Sequence, residues 1–123
     1  MLVSTGKVFV DLMNAEEREK TQHVALTRLE ELYPFPADAL RAQIERFPAL
    51  REIVWVQEEP RNMGALTFVG PRLRAVVPRH IPLRYVARPE RASTAEGKHT
   101  DHVKEQDRIV REALSAARPG GEG

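Results

Sequence analysis

Apolar residues in this chain fall into two alternating kinds of run. Leu2-Val3, Val24-Ala25-Leu26-Thr27-Arg28-Leu29, Ile53-Val54-Trp55-Val56 and Leu83-Arg84-Tyr85-Val86-Ala87 are short and rich in β-branched or aromatic residues, which predicts four strands. The stretches between them carry apolar residues at helical spacing. From Lys7 to Lys20, Val8, Leu12 and Ala15 form one stripe, with Phe9 and Met13 beside it. Leu40, Ile44 and Phe47 form a second stripe, with Asp38 in its first turn and Pro48 near its end. Leu66, Val69, Leu73 and Val76 form a third, in which Gly70-Pro71 predicts a kink or a break. Val103, Val110, Leu114 and Ala117, from Thr100 onwards, mark the last. Leu32-Tyr33-Pro34-Phe35-Pro36 is a stiff connector, because each Pro fixes its own φ and extends the residue before it.

Strand, helix, strand, helix, strand, helix, strand, helix is the order of an α/β protein, and right-handed crossovers turn it into a three-layer α/β/α sandwich with a mainly parallel sheet. Ile53 to Val56 reads as a strand buried on both faces, whereas the fourth strand is half-buried and belongs near an edge. The buried run stops at Gln57-Glu58-Glu59-Pro60-Arg61-Asn62-Met63-Gly64, and the carboxyl ends of strands are where such sheets place ligands and partners. One domain is expected over residues 1–117, with 118–123 as a disordered tail. An apolar strand with almost no lead-in also predicts that the natural sequence continues upstream and that Met1 is an added initiator.

Composition narrows the picture. A chain of 123 residues can bury one core. With 30% charged residues and a net charge of +1, no global field favours nucleic acid or an anionic membrane as partner, although a local basic patch is compatible with it. The absence of cysteine excludes disulfides, thiolate chemistry and Cys-based zinc sites, and suits a reducing compartment. No apolar run approaches the roughly 20 residues of a membrane span, and the start lacks a signal-peptide pattern. A cytoplasmic location is expected.

Four groups of residues invite chemical readings. Ser4-Thr5-Gly6-Lys7 joins a strand to a helix but lacks the distant first glycine of a phosphate loop, and has Val8 where that loop needs Ser or Thr. It reads as a tight turn whose helix N-terminus can still hold an anion. Glu58 and Glu59 are adjacent on a strand end and point to opposite sides of the sheet, so they do not make a catalytic pair; one of them is expected to accept loop N–H groups or to pair with Arg61. His99, Asp101, His102 and Glu105 can be sketched as a metal site, but their spacing does not demand one and a solvated helix start explains them. Arg84, Arg88, Arg91 and Lys98 are either ordinary charged surface or an anion pocket, and both readings stand open.

Several segments together carry a resemblance. Ser4-Thr5-Gly6-Lys7-Val8, Ala25 to Glu30 with Leu32-Tyr33-Pro34-Phe35-Pro36, Val54-Trp55-Val56-Gln57-Glu58-Glu59-Pro60 with Arg61-Asn62-Met63-Gly64, Pro71-Arg72-Leu73, Ala92-Ser93 with Gly97, His102 and Glu105-Gln106 occur in one order. Over Leu2 to about Leu114 the chain resembles the C-terminal domain of the E1 component of 2-oxoglutarate dehydrogenase. The resemblance implies a transketolase C-terminal-like fold in which Leu2 to Ser4 lies between the second and third strands, bringing Gly6 and Glu58 to one crevice. It also implies that the fold's extra antiparallel strand, which precedes Leu2, lies outside this chain. The whole enzyme so implied decarboxylates 2-oxoglutarate on thiamine diphosphate and magnesium, and passes the succinyl group to a lipoyl-bearing E2 in the tricarboxylic acid cycle. No Gly-Asp-Gly diphosphate motif is present here, so catalytic, cofactor-binding and metal-binding roles are expected to lie in the other E1 domains. Expected partners are those domains and the E1 homodimer. Thr5, Gly6, Lys7, Glu58, Glu59, Arg61, Asn62, Gly64, Arg88, Ser93, Gly97, Lys98 and His102 are expected at an interdomain or effector contact. The alternative role is a regulatory module for an anionic nucleotide or acyl-CoA. Ala87-Arg88 stands where the family commonly has Gly-Arg, and Ser93-Thr94-Ala95-Glu96-Gly97-Lys98 where it has Ser-Pro-Ala-Thr-Gly-Ser.

Overall fold

The computed structural model describes residues 1–89 and 99–115, with side chains in the last segment from Val103 onwards. Its elements are β1 Leu2–Ser4, α1 Lys7–Asn14, β2 Leu26–Arg28, α2 Ala37–Glu45, β3 Ile53–Pro60, α3 Leu66–Val76, β4 Leu83–Arg88 and α4 His99–Leu114. The four strands form one all-parallel sheet in the order β2-β1-β3-β4, with Leu2 opposite both Leu26 and Val54, and Trp55 opposite Tyr85. This is the α/β sandwich that the pattern predicts, with β1 between β2 and β3. The disordered tail expected at 118–123 lies outside the described residues.

Strand periodicity divides the core in two. Val3, Ile53 and Trp55 face one side, where Leu40 and Ile44 of α2 and Val69, Leu73 and Val76 of α3 cover them. Leu2, Val54, Val56 and Val86 face the other, under Val8 and Leu12 of α1 and Ile109, Val110, Ala113 and Leu114 of α4. Buried apolar residues on both faces of β3 explain its unbroken apolar run. The connection from β1 goes to β2, whereas the next crosses back to β3, so the switch point lies between β1 and β3.

Several elements differ from expectation. α1 ends at Asn14, Ala15 is extended, and Glu16–Thr21 continues as a 3₁₀ segment, so no single helix reaches Lys20. That segment has no buried residue, and nothing apolar draws it down as a longer helix. β2 begins at Leu26 and not at Val24. β3 runs past Gln57 to Pro60, with an irregular register between Val56 and Pro60. α3 is one element with Pro71 inside it, so no break occurs there. Pro71 follows Leu66 by five residues, and the only helical bond it forfeits is to the carbonyl of Thr67, whose residue is exposed. Phe47 lies beyond the end of α2 and is 38% exposed, and Val103 is 43% exposed. Ile109 and Ala113 join Val110 and Leu114 in the core in place of Val103, and Ala117 lies outside the described residues.

Candidate functional site

The loop after β3 is built around Gln57, whose side chain is buried at 3% exposure. Gln57 and Trp55 are two apart in a strand and share a face, so the indole Nε1–H donates to Gln57 Oε1 at 3.0 Å. That bond sets the amide's orientation. Nε2 then points at the loop and donates to the carbonyls of Glu59, Pro60 and Met63 at 3.1, 2.9 and 3.0 Å. An amide nitrogen has two hydrogens for these three acceptors, so one hydrogen is shared between two carbonyls. One neutral side chain thus gathers carbonyls of the last residues of β3 and of the turn that follows it.

Glu58 and Glu59 diverge as the strand geometry predicts, and among the described residues no ion pair joins either of them to Arg61. Glu59 is exposed and folds against Gly64: a Cβ on Gly64 would stand 2.9 Å from Glu59 Oε1 and 3.0 Å from its Cβ. Gly64 also has φ +68°, so glycine is required there twice over. Arg61 donates from Nη2 to Tyr85 O at 3.1 Å and from its backbone to Arg88 O at 3.0 Å, which ties the loop to β4. Asn62 is exposed beside it. Thr5, in the loop after β1, donates to Leu29 O at 2.8 Å, and Gly6 has φ 76° and ψ −154°, a region open only to glycine.

A second group lies on the α1/α4 side of the same crevice. Arg88, 4% exposed, donates from Nη2 to Gln106 Oε1 at 3.3 Å, Gln106 Nε2 donates to Asp11 Oδ2 at 2.8 Å, and Lys7 Nζ donates to the same oxygen at 2.9 Å. The bond and charge of Asp11, and more weakly the charge of Glu58, hold the Lys7 ammonium above its ordinary pKa. Beside these groups is an open cavity of about 530 Å³ whose charged lining, Lys7 and Arg111 against Asp11, Glu16, Glu17 and Asp107, is acidic in sum.

The residues expected at one crevice fall into separate groups. Glu59, Arg61 and Gly64 belong to the β3 loop, Lys7 and Arg88 lie towards α1 and α4, and Thr5 is bonded to Leu29 at the end of β2. Of the basic residues drawn around β4, Arg84 and Arg88 are described, and they stand apart. Arg84 sits roughly 13 Å from Arg88 along the strand and is held by Glu52 at 3.0 Å and Glu112 at 3.8 Å. Arg91, Ser93, Gly97 and Lys98 lie outside the described residues, as does the side chain of His102. Gln57, Asp11 and Gln106 were missed as site residues. The two-residue step from Trp55 to Gln57 held the signal for the first, but Asp11 and Gln106 are 95 residues apart and meet only in the fold.

The profile of the 2-oxoglutarate dehydrogenase C-terminal family matches residues 1–114. The chain belongs to this family. Among relatives of the 2-oxoglutarate dehydrogenase C-terminal family, the 2-oxoglutarate dehydrogenase E1 components of Exiguobacterium sp. and Bacillus licheniformis are each 49% identical, over 117 and 119 residues. Each alignment covers 94% of this chain and 12% of the relative, so the chain spans about one eighth of their length. A solved structure described as a split-gene transketolase, inactive β4 tetramer, shares the fold with a TM-score of 0.58 at 18% identity, over 95% of this chain and 38% of that one. This chain thus combines an α/β sandwich shared with that structure and the Gln57-centred loop. Among the described residues no helix is long and apolar enough to cross a membrane.

Proposed function

We propose that this chain is the C-terminal domain of a thiamine-diphosphate-dependent 2-oxoglutarate dehydrogenase E1 component, a cytoplasmic oxidoreductase of the tricarboxylic acid cycle. By itself it is inactive. Its role is assembly: the Gln57 loop and the crevice between β1 and β3 meet the remaining E1 domains, within an E1 homodimer that serves a lipoyl-bearing E2. The observation that carries this reading is the match to E1 components over 94% of the chain at 49% identity. Thiamine diphosphate supplies carbanion stabilisation in such enzymes. Among the described residues no three His, Cys, Asp or Glu side chains converge as a magnesium site for that cofactor, and no chemical step is assigned to them. The test is a hybrid in which this chain replaces the matching region of the Exiguobacterium relative. The hybrid is expected to decarboxylate 2-oxoglutarate within about tenfold of the parent rate, and the isolated chain not at all. A folded hybrid without turnover, or turnover by the isolated chain, would overturn the assignment.

A second reading has its own support. The first turn of α1 contains no acidic residue and its N-cap, Gly6, makes no side-chain cap, so its N–H groups are presented beside Lys7 at the crevice. On this reading the crevice, with Arg88, Ser93, Gly97, Lys98 and His102, binds an anionic nucleotide or acyl-CoA. Calorimetric titration with a nucleoside monophosphate and an acyl-CoA decides: heat that disappears in Arg88→Ala supports it, and no heat from the unaltered chain removes it.

A further inference from the structure

The end of the sheet opposite the crevice carries a groove of about 710 Å³. Its floor is apolar, formed by Met1, Val24, Ala25, Phe47 and Leu50, and Phe47 is the residue that left α2 to stand 38% exposed. Its rim is basic: Arg18, His23, Arg46 and Arg51. Among the described residues no carboxylate pairs with Arg18, Arg46 or Arg51. Glu52, the acidic residue in the lining, is already held by Arg84 at 3.0 Å. Arg18 is pinned at the rim through Nη1–H to Thr21 O at 2.6 Å, which leaves its remaining N–H groups for a ligand. A net charge of +1 thus conceals a local concentration of unneutralised cations around an apolar hollow.

We propose that this groove seats an acidic, amphipathic segment from the rest of a longer E1 polypeptide; the inference rests on the function proposed above. The occupant's chemistry follows from the lining, since carboxylates meet the guanidinium forks of the rim while apolar side chains cover Phe47 and Leu50. Its source follows from extent. The groove is lined by 13 residues, fewer than the roughly 20–30 a side that a stable association of separate proteins engages. A tethered segment needs less, because the tether gives it an effective concentration in the millimolar range. The relatives carry ample chain for this, as the matched region is 12% of their length.

The test uses the whole 123-residue chain and overlapping short peptides covering the unmatched part of the Exiguobacterium relative, read by amide chemical shifts. One acidic, amphipathic peptide is expected to shift His23, Phe47 and Leu50, to bind at least about tenfold more weakly to Arg46→Glu/Arg51→Glu and to weaken as salt rises. Phe47→Asp, at an exposed position, should reduce binding independently. No peptide shifting these residues, equal binding by the charge-reversed variant, or a concentration-dependent dimer that occupies the groove would each overturn the proposal. Failure here with a working hybrid enzyme would discard the groove and leave the proposed function standing.

Discussion

Gln57 shows how much one side chain can hold. It satisfies an indole N–H and three backbone carbonyls within the buried end of β3, and no hydrophobic replacement can reproduce those bonds. Gln57→Leu keeps the volume but strands the Trp55 N–H and loosens the turn, at a cost of about 2–4 kcal/mol. Thermal unfolding should show a midpoint lower by on the order of 10 °C. A change of less than about 0.5 kcal/mol would mean that water replaces the amide. The sequence made Gln57 look like the point where a strand stops and drew attention to the carboxylates after it. Charge is visible in a sequence, whereas the value of a neutral amide depends on what surrounds it.

Elements with a strong apolar period were legible, and their boundaries were not. α1 and α4 were expected from stripes that include Val8, Leu12, Val110 and Leu114, all of which are core residues. The end of α1 at Asn14, and the exposure of Val103 and Phe47, depend on which stretches have a sheet to cover. The free edges of the sheet illustrate the same point. Ile53 N–H donates to Pro82 O, so the alternate carbonyls of Tyr85 and Ala87 point away from β3. Arg61 and Arg108 guanidinium groups cap them at 3.1 and 3.2 Å. β2 is merely short, three residues. Both devices blunt an edge against unwanted strand pairing, and neither was legible in the sequence pattern, which drew β2 from Val24 to Leu29.

For the whole molecule, burial of the chain's own α-amino group gives a pH dependence. The Met1 ammonium donates to Glu52 O at 2.9 Å, and burial lowers its pKa from 8.0 to about 6 against the opposing charge of Glu52. Because the folded chain releases this proton more readily than the unfolded one, stability should rise with pH between about 6 and 8, by on the order of 2 kcal/mol. Urea denaturation across that range checks it, and N-terminal acetylation should flatten the slope; a slope unchanged by acetylation would overturn the assignment to Met1. The order of strands and helices, the α/β class, the divergence of Glu58 from Glu59 and the family were all determined by the sequence, because periodicity and residue order survive in one dimension. Tertiary structure alone decided that Gln57 organises its loop, that Asp11 meets Gln106, and that Arg18, His23, Arg46 and Arg51 ring one hollow. Each of these depends on which distant segments share an end or a face of the sheet, and that is settled only when the core closes.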